Sequence, residues 1–174
     1  MTSKKQAPLV GIVMGSDSDF PTMSETRKTL AKFGIACELE VLSAHRTPAR
    51  AHEYSTTAAS RGLKVLIAAA GAAAHLAGVM AANTTLPVIG VPMATSTLNG
   101  LDALLATVQM PAGVPVATMA IDKAGATNAA ILAAEILGLS DPEIARKLAA
   151  HKEELARSVA EKNARLQKQL SGEA

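Results

Sequence analysis

PLVGIVMGSDSDFPTM, residues 8–23, reads as a buried strand that runs through a polar loop into a helix. Residues 8–14 form a short apolar run ending at Gly15, as in a strand covered on both faces. SDSDF follows as the loop. Pro21 stands where a first helical turn tolerates it, with Asp19 as the N-cap. Met23, Leu30 and Phe33 then recur at roughly helical spacing, and Gly34 closes the helix.

The same unit returns along the chain. Residues 36–42 read as a second strand, followed by the loop SAHRTP (residues 43–48) and a helix over 48–60. A third strand over 64–70 leads into a Gly/Ala loop and a helix through 79–82. A fourth strand, 87–91, precedes a helix around 98–108. A fifth, 116–121, precedes an Ala-rich helix over 125–137. Short apolar strands alternating with helices specify a parallel sheet with helices on both faces. The fold expected is α/β: a flavodoxin-like, three-layer, doubly wound, five-stranded parallel sheet with a long C-terminal helix. In such sheets ligands bind at the carboxyl ends of the strands, where both polar loops leave strands one and two.

The C-terminal segment is highly charged. Ser140 and Glu143 have capping-box spacing, Pro142 lies just inside the helix start, and one long helix is expected over 141–170. Its apolar residues Ile144, Leu148, Leu155, Val159, Leu166 and Leu170 recur in steps of four and seven, which keeps a narrow stripe on one side. The stripe could pack on its own domain. Because the crossover helices already cover a five-stranded core, the preferred reading places it partly on another subunit.

At 174 residues the chain is one domain long, 1–174, with residues 1–7 expected to be a flexible N-terminus. Half of it is apolar, yet it has no Trp, one Tyr and two Phe, which suits close helix–sheet packing and disfavours aromatic platforms for single-stranded nucleic acid. A net charge of +2, with basic and acidic residues interleaved in the C-terminal segment, offers no basic stripe for a nucleic-acid backbone. The single cysteine, Cys37, forms no internal disulfide framework and fits a reducing compartment. The first eight residues lack the apolar stretch of a signal peptide, and other apolar runs are too interrupted to span a bilayer. A soluble, cytoplasmic protein is expected, with no nucleic-acid or membrane partner.

Residues 15–19, GSDSD, join a strand to a helix N-terminus, where free N–H groups favour an anion and the hydroxyls of Ser16 and Ser18 add donors. The alternative is that Ser16, Ser18 and Asp19 only cap the helix. An aspartate would repel phosphate, so Asp19 better suits ribose hydroxyls. In SAHRTP, Ser43 precedes His45 and Arg46. Arginine offers a planar fork for phosphate oxygens, and histidine exchanges protons near neutral pH. A lone loop histidine is ordinarily a surface residue, but here it shares the ligand edge with an arginine. AAAGAAAHL, residues 68–76, lets a ligand approach the backbone closely, though helix–sheet packing explains its small residues equally well. Read from its own surroundings, His75 lies on the ensuing helix in a structural role, as do His52 and His151 in theirs. Gln109 and Met110 before Pro111 could reach a ligand. The histidines show no metal-ligand spacing, so no metal is expected.

GSDSD, SAHRTP, the Gly/Ala loop ending AAHL, PVIGVP, VQMPAGVPVAT and KAGATNAAILAAEIL occur in this order. With these motifs the chain closely resembles the class I N5-carboxyaminoimidazole ribonucleotide mutases, the PurE family of purine biosynthesis, over about residues 8–137. The resemblance implies conversion of N5-carboxyaminoimidazole ribonucleotide to 4-carboxy-5-aminoimidazole ribonucleotide without metal or organic cofactor. It implies substrate contacts from Ser16, Asp19 and Arg46, supported by Ser18 and Ser43. His45 would be the general acid/base of a decarboxylation–recarboxylation, Gly71, Ala72, Ala73 and His75 further substrate-binding residues, and the Ala/Gly loop around Gly71 to Ala74 a wall that retains CO2. It further implies a homo-octamer.

The chain departs from the family pattern where alanines 69 and 72 replace glycines, Ala77 replaces a proline and Asp122 replaces a glycine. An alanine at position 72 is strained by about 1 kcal/mol if that position requires a positive φ. Two other readings stay open. One is a class II aminoimidazole ribonucleotide carboxylase using CO2, against which VQMPAG speaks. The other is a non-catalytic nucleotide- or flavin-binding module on the same scaffold.

Overall fold

The computed structural model describes residues 7–172, so all but Ala7 of the expected N-terminal arm lies outside the described residues. Five strands, β1 (Val10–Met14), β2 (Cys37–Val41), β3 (Val65–Gly71), β4 (Val88–Met93) and β5 (Ala117–Thr118), form one sheet in the order β2-β1-β3-β4-β5. Every neighbouring pair is parallel. That order, with helices on both faces, is the flavodoxin-like arrangement, whose strand order reverses between β1 and β3.

Alternation along the strands builds two cores. Val10, Ile12 and Met14 of β1, Val65, Ile67 and Ala69 of β3, and Ile89, Val91 and Met93 of β4 point to one face. There they meet α1 (Phe20–Phe33) and α5 (Asp122–Gly138). Alanines 126, 129, 130, 133 and 134 of α5 are fully buried, and their small side chains let that helix approach the sheet closely. Val13, Leu66, Ala68 and Val88 point to the other face. They pack with Ala51 and Tyr54 of α2 (Pro48–Thr57) and with Leu76, Ala77 and Met80 of α3 (Leu76–Ala82). The remaining crossover helix is α4 (Leu101–Val108).

Several boundaries differ from expectation for identifiable reasons. β5 has two residues rather than six, its pairing with β4 confined to Ile89 with Ala117 and Gly90 with Thr118. α5 starts at Asp122, three residues early. The cap of α6 (Pro142–Leu170) is Asp141, not Ser140: its Oδ1 accepts from the N–H groups of Glu143 and Ile144. Pro142 fixes the first helical position and thereby the cap one residue before it. The Ser140 hydroxyl instead donates to the Leu137 carbonyl.

The α6 stripe divides. Ile144 is buried and Leu148 packs against the same core, whereas Leu155, Val159, Leu166 and Leu170 are all about half exposed or more. A second apolar face is formed by Leu101, Leu105 and Val108 of α4 with Leu98 before it. Among the described residues no helix is long and apolar enough to cross a membrane.

Candidate functional site

The loops after β1, β2 and β3 leave the same edge of the sheet and meet over the point where strand order reverses. They enclose a cleft of about 190 Å³ lined by Ser16, Ser18, Asp19, Ser43, His45, Arg46, Gly71, Ala73 and His75, together with Gly15, Ala44, Ala70, Leu76 and Thr95.

After β1 the chain makes a single 3-10 turn, Asp17–Asp19, before α1. Ser16 caps it: its Oγ accepts from the N–H of Ser18 and from the Ser18 hydroxyl at 2.8 Å. Asp19 occupies the N-cap position of α1 but makes no capping hydrogen bond with its side chain. It is 3% exposed, so the expected cap is instead a buried carboxylate on the cleft wall. Burial pushes the Asp19 carboxyl above the usual aspartate range, a hydrogen bond with the Ser16 backbone opposes this in part, and the charges of Asp122 and Asp17 add to the rise.

The SAHRTP loop holds itself in shape. The Ser43 N–H donates to Thr47 Oγ1, which donates back to the Ser43 carbonyl, and Ser43 Oγ accepts from the N–H of Arg46. The Arg46 guanidinium reaches across to donate to the Gly15 carbonyl at 3.2 Å, tying the first two loops together. His45 faces the third loop, where its Nε2 lies 2.8 Å from Nδ1 of His75 with the rings edge-to-face. The hydrogen bond holds one proton between the two nitrogens, so each ring fixes the tautomer of the other.

The surroundings of His75 in the sequence suggest a structural role on the helix, whereas the family resemblance puts it among the substrate-binding residues. It is the residue before α3, at the cleft, and its partner is 30 positions away in sequence. Thr95, which no motif marked, closes the far wall: a Cβ on Gly71 would fall 1.7 Å from Thr95 Oγ1. Ala72, expected to touch substrate, is exposed and does not line the cleft. It turns the chain instead, with φ of 52° and its carbonyl accepting from the N–H of Ala74. The other two alanine replacements are unstrained, Ala69 buried within β3 and Ala77 in the first turn of α3. Replacing Ala72 by glycine is therefore expected to stabilise the protein by about 1 kcal/mol, seen as a rise of roughly 2–4 °C in Tm. An unchanged or lower Tm would contradict the strain.

Gln109 and Met110 do not line the cleft, since they follow the far end of α4. His52 bonds Asn83 and His151 packs edge-on against Phe33, both away from the site as expected. Cys37 is half buried in β2, and burial pushes its thiol above the usual range. Among the described residues no group of three or more His, Cys, Asp or Glu side chains is placed to hold a metal ion.

Comparison with known proteins matches residues 9–158 to the AIR carboxylase family. A protein of Thermotoga maritima named N5-carboxyaminoimidazole ribonucleotide mutase is 58% identical over 92% of this chain and 92% of its own. One of the same name from Pyrococcus horikoshii is 54% identical over 96% of this chain and 93% of its own. The crystal structure of Treponema denticola PurE superposes with a TM-score of 0.82 at 29% identity, over 91% of this chain and 98% of that one.

Proposed function

The chain belongs to the AIR carboxylase family, and on that premise we propose that it is a purine-biosynthetic isomerase converting N5-carboxyaminoimidazole ribonucleotide to 4-carboxy-5-aminoimidazole ribonucleotide. The observation that carries this reading is the convergence of three loops on one cleft: hydroxyls and a guanidinium at one end, a paired histidine at the other.

Ser16, Ser18, Ser43 and Arg46 take the phosphate, since three hydroxyls and a planar cation supply donors in the number a phosphate accepts. Asp19 accepts from the ribose hydroxyls. The imidazole then reaches His45, which protonates the exocyclic nitrogen as its bond to the carboxyl carbon breaks, releasing CO2 in the cleft. Ring C4 attacks that CO2, forming the new carbon–carbon bond, and His45 removes the C4 proton to restore aromaticity. His45 thus gives one proton to the nitrogen and takes a different one from C4, ending in the protonation state in which it began, and no metal or organic cofactor enters. Gly71, Ala73 and Thr95 present little bulk beside the reacting atoms and hold CO2 within reach, a proximity effect. His75 orients His45 through the bond between their rings.

The whole chain acts as one domain, in the cytoplasm, and self-associates as a homo-octamer. The exposed apolar faces of α4 and the distal half of α6 supply surface for those contacts. Neither nucleic acid nor membrane is a partner in this reading. A class II carboxylase is the competing reading, and relatives 54–58% identical that bear the mutase name favour the isomerase. Offering each substrate separately to purified protein tests it. Rapid use of unsubstituted aminoimidazole ribonucleotide with bicarbonate, and none of the N5-carboxylated compound, would contradict the isomerase.

The raised Asp19 carboxyl gives a pH dependence with a definite sign. As pH falls into the range above that of ordinary aspartates, Asp19 takes up a proton and no longer accepts from both ribose hydroxyls. The folded chain holds that proton more tightly than the unfolded one, so its uptake favours the fold while it weakens the ligand. Product-nucleotide affinity followed by calorimetry should fall there, and Asp19→Asn should bind weakly with that dependence removed. An identical pH profile in the variant would contradict the assignment.

A further inference from the structure

We propose that Asp122 is a positioning residue for this reaction, pinning the loop after β4 so that Thr95 closes the cleft wall beside Gly71. The inference rests on the functional reading above and adds a residue that stands outside the cleft lining. It starts from a backbone anomaly. Asp122 has φ of 57°, in the left-handed region that favours glycine, at the first residue of α5. Its carboxylate explains what keeps it there. Oδ1 accepts a 2.9 Å hydrogen bond from the N–H of Ala94, 28 positions earlier.

The two segments are tightly fitted around that bond. A Cβ on Gly100 would lie 2.7 Å from Ile121 Cγ2 and 3.2 Å from Ala94 Cα, and one on Gly125 would fall 1.7 Å from the Ala120 carbonyl oxygen. The start of α5 is thereby fixed in place, and loop 94–100 folds over it. Ala94 connects the end of β4 to Thr95. Thr95 in turn occupies the space that any side chain at position 71 would need. The path from Asp122 through Ala94 and Thr95 to Gly71 is a chain of direct contacts ending at the wall beside the histidine pair. Asp122 also acts on the cleft by charge, as one of the groups that raise the Asp19 carboxyl.

The latch predicts a dissociation of catalysis from stability. Asp122→Gly keeps the left-handed backbone without strain but removes the acceptor. It should melt no lower than the wild type, yet lose roughly five-fold in kcat with KM within about two-fold, because the wall lies at the reacting end and not at the phosphate. Asp122→Asn keeps an acceptor and tolerates the same φ, and should restore kcat to within about two-fold. Hydrogen exchange at the Ala94 amide reads the latch without any turnover: faster in the glycine variant, close to wild type in the asparagine variant. Wild-type kcat in Asp122→Gly, or equal loss in both variants, would overturn the proposal. If the wild-type protein fails to isomerise the N5-carboxylated substrate, the functional reading fails instead, whatever the Ala94 amide shows.

Discussion

His45→Asn is expected to lower kcat by about 10³-fold or more while the protein still binds the product nucleotide. A positioned proton carrier contributes about 10²–10⁴ in rate, and this reaction uses the same carrier twice. Asparagine preserves a polar side chain of similar reach but cannot take up and return a proton near neutral pH. Ser16, Ser43 and Arg46 are untouched, so the side chains proposed to hold the phosphate still line the cleft. His45 is exposed and, among the described residues, its side-chain hydrogen bond is to His75 alone, so the fold should not register the change. Turnover near the wild-type rate would refute His45 as the proton carrier. A loss of binding as large as the loss of rate would place His45 among the phosphate contacts instead.

Arg46→Ala should show the opposite division. The guanidinium projects into the cleft with one nitrogen already on the Gly15 carbonyl, which leaves the rest of its fork for a phosphate. Charge-assisted hydrogen bonds of this kind are worth about 1.5–3 kcal/mol, so dissociation constants for the nucleotide should rise by roughly 10–150-fold. Titration calorimetry measures this directly. At saturating substrate kcat should fall much less, because His45, the proposed proton carrier, and the wall of small residues are intact. Lysine at the same position should recover only part of the affinity, having charge without the planar fork. A variant that binds normally but does not turn over would exchange the roles of Arg46 and His45.

The strands and helices that carry the site were legible because apolar runs and helical spacing report burial, and burial is what those elements share. Gly34 marked a helix end for a conformational reason that a sequence states openly, a left-handed C-cap with φ of 77°. What could not be read are features set by contacts between distant segments. His75 meets His45 because β3 and β2 flank β1, an adjacency that spacing along the chain does not encode. Thr95 belongs to no motif, and its place follows from the space Gly71 leaves for it. Ala72 was expected to touch substrate along with its neighbours, yet it stands outside the cleft lining and serves the turn. Asp122 had no explanation as a residue in a sequence and has one as the acceptor for Ala94. Capping at α6 failed for a more local reason: Ser140 offered the motif, while Pro142 had already assigned the cap to Asp141.

The division of labour among the loops is tested most directly by a crystal structure with the product nucleotide bound. The phosphate should lie against Ser16, Ser43 and Arg46, the ribose hydroxyls on Asp19, and the carboxylated imidazole within hydrogen-bond reach of His45 beside Gly71 and Thr95. A nucleotide bound in the reverse orientation, or away from the meeting point of the three loops, would contradict it.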